Sequence, residues 1–313
     1  MCNMIGVCIV TYNQEKYIAQ AIESVLMQID CGHKVVAYIG NDCSKDRTGE
    51  ICHQYAEQYP GRVVVVDNKK NLGLVGNTMN LLDVMRKEGC KYIAMLDGDD
   101  YWCDDHKLQK QMAYLKVHPE YGLVHTCYDV QYPHKMTYDK RLSMPEGDVS
   151  QQIFDYRIGN NTVVFMTELL ELINFDDFQH QGFMSCDFIM YIIFSCHTQF
   201  GFLPDHTAVW RRGHDSVSNT NDMEKQIHYV QNDIAMWRYA AKLFPERWHA
   251  TDEEIEYYFH YRAFAIAFKY GDRKRALQEA RLMGVENQRR HRKKIFAAHF
   301  TLLTALWNWC KKV

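Results

Sequence analysis

The chain has 313 residues, enough for about two domains or one large domain with an appendix. At 47% hydrophobic and 24% charged it sits at the globular average, which excludes a disordered, collagenous or simple coiled-coil protein. The net charge of −3 divides unevenly: residues 271–313 carry +8 (11 Lys/Arg, 3 Asp/Glu) and residues 1–270 carry −11 (25 and 36), a body too acidic to favour nucleic acid.

Ile5–Val10 is a short apolar run rich in β-branched residues, which predicts a strand. After Thr11-Tyr12-Asn13 comes a helix with Ile18, Ala21, Ile22, Val25 and Leu26 on one face. Lys34–Ile39 predicts the second strand and residues 46–59 the second helix, closed by Pro60-Gly61. Val63–Val66 is a third strand, residues 74–88 a third helix and Tyr92–Leu96 a fourth strand. A further helix carries Leu108, Met112 and Leu115 on one face. Alternation at this spacing predicts an α/β fold, a mostly parallel sheet covered by helices.

Beyond residue 130 the pattern loosens. Gln131–Gly147 has loop composition, Thr162–Met166 reads as a strand, Phe183–His197 as a helix and Phe200–Arg212 as extended chain. Residues 223–244, 252–270, 273–283 and 291–310 read as helices. A composition shift near Asn219–Asn221 divides the chain into a catalytic domain, 1–220, and a C-terminal helical region, 221–313.

The polar residues fall where chemistry is expected. Thr11–Asn13, Asn41–Asp46 and Asp97–Asp100 all follow strands, and in an open parallel sheet those ends share the edge where ligands bind. Asp97-Gly98-Asp99-Asp100 packs three carboxylates into four residues, a group that suits a hard divalent cation, although such turns also occur solvated and empty. Asp46 reads as a cap of the second helix. Neither G-x-G-x-x-G nor G-x-x-x-x-G-K-[ST] follows the first strand, so a bound diphosphate would need a metal to neutralise it. The 11 cysteines show no C-x-x-C pair, which argues for reduced thiols over a zinc site. No secretory leader pattern and no run of about 18 apolar residues occurs, so the cytoplasm is the expected compartment.

Taken in order, Val10-Thr11-Tyr12-Asn13, Asn41-Asp42-x-Ser44-x-Asp46, Asn71-x-Gly73 and Asp97-Gly98-Asp99-Asp100 resemble the family 2 glycosyltransferases of the GT-A fold. Lys91–Gln111 resembles a bacterial branch of that family, and the likeness extends to Cys186-Asp187, Phe202-Leu203-Pro204 and Trp210–Ser216, over roughly residues 5–218. The resemblance implies a nucleoside-diphosphate sugar donor, UDP-sugar favoured, held by Thr11, Tyr12, Asn13, Asp42, Asn71, Gly73 and Asp97, with Asp42 on the base. It implies Mn2+ or Mg2+ on Asp97 and Asp99, with His214 reaching the metal or diphosphate. Asp187 is implied as the base of an inverting transfer of a hexosyl or N-acetylhexosaminyl group to a glycan or lipid-linked saccharide. Asn41 stands where the family usually has Asp, and Trp210 where it usually has Tyr. A metal-dependent nucleotidyltransferase and a non-catalytic carbohydrate-binding relic remain open alternatives.

Arg289–Lys294 leads into a segment whose Ile295, Phe296, Phe300, Leu302, Leu303, Leu306, Trp307 and Trp309 span about half a helical wheel. Two readings stand: a helix lying in the headgroup layer on the inner face of the plasma membrane, or one docked on the other helices or on a second copy in a homodimer.

Overall fold

The computed structural model describes residues 4–138, 146–150, 158–213, 222–246 and 251–284. The chain divides into two compact units, 1–214 and 215–313.

In the first unit β1 (Met4–Thr11) is buried along nearly its whole length, as a central strand covered on both faces must be. Helix α1 (Ile18–Leu26) lays Ile18, Ala21, Ile22 and Val25 into the core that also contains Ile5, Val7 and Ile9. There follow β2 (Lys34–Asn41), α2 (Thr48–Gln58), β3 (Val63–Asp67), α3 (Gly73–Lys87), β4 (Tyr92–Asp97), β5 (Tyr101–Trp102) and α4 (Lys107–Val117). The unit continues with β6 (Tyr121–Tyr132), β7 (Lys135–Thr137), β8 (Val164–Met166), α5 (Phe175–His180), α6 (Asp187–Ser195) and β9 (Gln199–Arg211). Among the described residues the sheet order is β3-β2-β1-β4-β8-β6-β9-β5, with β7 paired to β6.

The register explains where a ligand would sit. β1 is parallel to β2 on one side and β4 on the other, with Thr11 opposite Asn41 and Val10 opposite Asp97. β3 is parallel to β2 and brings Asp67 level with Asn41. The chain therefore leaves β1 toward one side and returns on the other, opening a crevice at the carboxyl edge. β8 runs antiparallel to both β4 and β6, so the sheet is mixed.

The predicted helices and strands of the described residues stand within a residue or two of their places, except that α6 starts four residues after the predicted Phe183 and α5 has no predicted counterpart. β6 has no counterpart among the predicted elements, which leave residues 121–130 unassigned, and the loop-like start of Gln131–Gly147 holds the end of β6 and the β6–β7 hairpin. Tyr121–Tyr132 mixes His, Thr, Cys and Asp into a buried strand, so neither alternation nor an apolar run marks it.

The second unit contains α7 (Met223–Leu243), α8 (Asp252–Tyr270) and α9 (Arg273–Leu282). A capping box of Thr251 and Glu254 starts α8, and Gly271 ends it in the left-handed region at φ 77°. Phe264, Ala267 and Phe268 pack with Ala276, Ala280 and Met283. Residues 291–310, expected as a helix, lie outside the described residues.

Candidate active site

The loops after β1 and β2 are stitched into one wall. Asn13, at φ 53°, donates its N–H to Ser44 Oγ (3.1 Å) and accepts from the Lys45 N–H (2.7 Å). The Gln14 N–H donates to Thr48 Oγ1 (2.7 Å), and the Glu15 N–H to Asp46 Oδ2 (3.1 Å). Asp46 also takes the Thr48 N–H at 3.0 Å, but it stands one place before the cap of α2, which is Arg47. Thr11 is buried and donates its hydroxyl to Gln14 (2.8 Å), while Tyr12 keeps 43% of its surface exposed at the mouth.

Asp42 is 2% exposed and spends its carboxylate inside the chain. It accepts from the Asn68 amide (2.9 Å) and from the Leu72 and Gly73 N–H groups (2.8 and 2.9 Å). Asn71 accepts a second bond from Gly73 (3.0 Å), whose φ of 74° favours glycine. Asp42 thus anchors the loop carrying Asn71 and Gly73. Behind it an amide ladder runs from Asn80 to Asn68 (2.9 Å), from Asn68 to Asn77 (2.8 Å) and from Asn77 to the Gly40 carbonyl (2.8 Å).

The acidic turn ends β4. A Cβ on Gly98 would stand 2.9 Å from Thr11 Cβ, so glycine lets the turn press against the β1 loop. Two consecutive asparagines grip its outer carboxylates: Asn160 Nδ2 donates to Asp97 (3.1 Å) and Asn161 Nδ2 to Asp100 (2.8 Å). The Arg211 N–H donates to the other oxygen of Asp100 (2.9 Å), and the Arg211 guanidinium donates to the Asp99 carbonyl (2.6 Å). The same guanidinium lies over the Tyr101 ring at 4.4 Å and the Tyr17 ring at 5.4 Å, and also reaches Gln20.

Asp187 is the first residue of α6, one place inside the cap, and accepts from backbone N–H groups and the Ser185 hydroxyl. Burial raises its pKa above the ordinary carboxylate range, against those donors. Burial, then the charges of Asp99 and Asp187, lift Asp97 to about 7, with the Asn160 amide pulling the other way. The Asp187 charge thus acts on Asp97, which sets the start of α6 near the acidic turn. Burial and the Asp99 and Asp97 charges also raise Asp100 well above its ordinary value, against Arg211.

This donor set fits a hard divalent cation: carboxylate oxygens crowded enough to raise one another's pKa gain from a positive charge among them. Asp97 and Asp99 would hold it. His214 lies outside the described residues. A separate group, Asp104, Asp105 and His106, brings its ligand atoms within 4.8 Å of one another. Its loop is tied to the far end of α1 by the Ile29 N–H on the Asp105 carbonyl, and Lys110 already pairs with Asp104 at 2.8 Å.

Sequence reading did not single out Asn160, Asn161 or Tyr191, nor give Arg211 a role. The available signals are the Asn160-Asn161 pair before a short apolar run, and Tyr191 four residues after Asp187 on a helix. The pairing of β8 with β4, which carries the asparagines to the acidic turn, is not written in local sequence.

The mixed sheet, its flanking helices and the acidic crevice at the carboxyl edge are those of a GT-A architecture. The Glycosyl transferase family 2 profile matches residues 6–180, and the chain belongs to that family. The chain spans 57% of the length of the mycobacterial relatives it matches at 30% identity over 212 residues, 65% of this chain. The amylovoran biosynthesis glycosyltransferase AmsE of Erwinia amylovora is 26% identical over 241 residues, 75% of this chain and 85% of that protein. S. aureus TarS 1–349 in complex with UDP-GlcNAc shares the fold with a TM-score of 0.54 at 14% identity, over 99% of this chain and 92% of that one. The Pyrobaculum calidifontis mannosyltransferase PcManGT, in complex with GDP-Man and Mn2+, has a TM-score of 0.58 at 16% identity, over 100% of this chain and 89% of that one.

Proposed function

We propose that this chain is an inverting, metal-dependent glycosyltransferase. It moves a hexosyl or N-acetylhexosaminyl group from a nucleoside-diphosphate sugar, UDP-sugar favoured, to a hydroxyl of a glycan or lipid-linked saccharide used in cell-surface polysaccharide synthesis. The observation that carries this reading is the Asn160 bridge from Asp97 to Tyr191 on the helix that Asp187 opens, in a chain of family 2. The polymer named in AmsE and the sugar nucleotides named in the TarS and PcManGT complexes support the acceptor and donor classes.

Thr11, Tyr12 and Asn13 receive the nucleoside at the mouth of the crevice, with Tyr12 offering the exposed ring. Asp42, its carboxylate taken up by the Asn68 amide and the Leu72 and Gly73 N–H groups, fixes the loop that presents Asn71 and Gly73 to the nucleoside, in place of the direct contact with the base that the resemblance implies. Asp97 and Asp99 would hold Mn2+ or Mg2+, with His214 added by the family resemblance, and the ion would supply positive charge for the departing nucleoside diphosphate. Asp187 accepts the acceptor hydroxyl's proton as the oxygen bonds to the anomeric carbon and the bond from that carbon to the diphosphate breaks. Its raised pKa makes it a stronger base than an ordinary carboxylate. The +8 of residues 271–313 supports a cytoplasmic enzyme brought to the inner face of the plasma membrane as a peripheral protein, the other reading being a tail docked on protein. No helix among the described residues is long and apolar enough to cross a membrane.

Product analysis after incubation with UDP- and GDP-sugars, manganese and a saccharide acceptor tests the reading. Released nucleoside diphosphate with a lengthened acceptor is the expected result. Released pyrophosphate would mean nucleotidyl transfer instead, and no turnover with any donor would favour a binding relic.

A further inference from the structure

We infer that Asn160 is a positioning residue which, through the Tyr191 hydroxyl, registers the Asp97 carboxylate to the helix that carries Asp187. The inference rests on the function proposed above. Asn160 opens a single 3₁₀ turn, Asn160–Thr162, just before β8. Because β8 is antiparallel to β4, with Val164 opposite Ala94, that turn lies beside the carboxyl end of β4. From there Asn160 Nδ2 donates to Asp97 Oδ1 at 3.1 Å, and Asn160 Oδ1 accepts the Tyr191 hydroxyl at 2.7 Å.

A primary amide has a donor at one end and an acceptor at the other. The two bonds therefore fix its direction, since the reversed amide would point oxygen at carboxylate. Tyr191 is 2% exposed and stands one helical turn after Asp187 on α6, so the two share a helix face. The turn itself is held firmly. Thr162 Oγ1 donates to the Gly159 carbonyl (2.7 Å), Asn161 holds Asp100, and the Trp102 indole N–H donates to the Asn161 carbonyl (2.8 Å). One amide thus ties the carboxylate beside the diphosphate to the helix bearing the proton acceptor.

Calorimetric titration of UDP and of GDP, each with manganese, into the full chain tests this. Asn160→Ala should weaken nucleotide binding about tenfold, the scale of a lost hydrogen bond to a charged group, and Tyr191→Phe about threefold. The double variant should bind no more weakly than Asn160→Ala alone, because Tyr191 acts through Asn160. A merely structural role would lower the melting temperature and leave manganese-dependent affinity unmoved. That result overturns the inference, as does a double variant whose loss is the product of the two single losses. Should Asn160→Ala fail to fold, Tyr191→Phe removes a single oxygen and decides alone: unchanged affinity sinks the idea. If the wild-type chain binds neither nucleotide, the glycosyltransferase reading falls and this inference with it. Normal wild-type binding with unaltered variants removes the inference only.

Discussion

Asp99 and Asp187 divide the proposed work between holding charge and moving a proton, and their amides separate the two roles. Asp99→Asn keeps the shape of the turn and removes one charge, so manganese-dependent UDP binding should fall by at least about tenfold. Unchanged calorimetry in that variant would remove the metal assignment. Asp187→Asn should bind sugar nucleotide nearly as the wild type does and transfer about a hundredfold more slowly, the usual scale of acid–base catalysis. Near-normal turnover would leave Asp187 as a residue of the α6 N-terminus only. At this scale the acidic positions were legible because carboxylates crowded after a strand are conspicuous in any sequence. Their partners were not, since an amide becomes functional only when folding aims it.

Lys107 governs how the elements respond to pH. It opens α4, is fully buried, and lies 4.5 Å from the Trp102 ring. Its ammonium donates to Gln111 Oε1 (2.5 Å) and the Thr162 carbonyl (3.1 Å). Burial lowers its pKa from 10.5 to about 7, with Asp104 opposing. Between those values the unfolded chain binds more protons than the folded one. The stability this group contributes is therefore full above the unfolded value and is lost as pH falls toward 7. Urea midpoints of the wild type relative to Lys107→Met should rise from pH 7 to pH 10; a constant difference would show that Lys107 stays charged when folded. Elements were legible here in proportion to their periodicity. α1 announces its apolar face and β1 its unbroken run, whereas β6 earns its burial from β8 and β9 on either side. Nothing within Tyr121–Tyr132 reports those neighbours.

For the whole molecule, the division of charge is the feature that composition makes plainest. An anionic surface attracts a segment of +8 and repels one of −11, which is the physical basis for proposing that the tail meets the membrane. Co-sedimentation with anionic liposomes should pellet the full chain at low salt and leave a chain ending at Gln288 in the supernatant, with high salt releasing the former. If both forms stay in solution, residues 289–313 serve packing or self-association instead, and the acceptor need not be a lipid.

The buried Trp102 indole has an optical consequence. Its ring stands at the end of the acidic turn, its N–H is bonded to Asn161, and the side chain of Asn161 holds Asp100. An indole so enclosed emits toward the blue, and its excited state responds to the electric field along the ring. Bringing a doubly charged ion among carboxylates two bonded links away alters that field. The turn therefore carries its own fluorophore, and the emission that Trp102→Phe deletes reads occupancy of the crevice without any added dye.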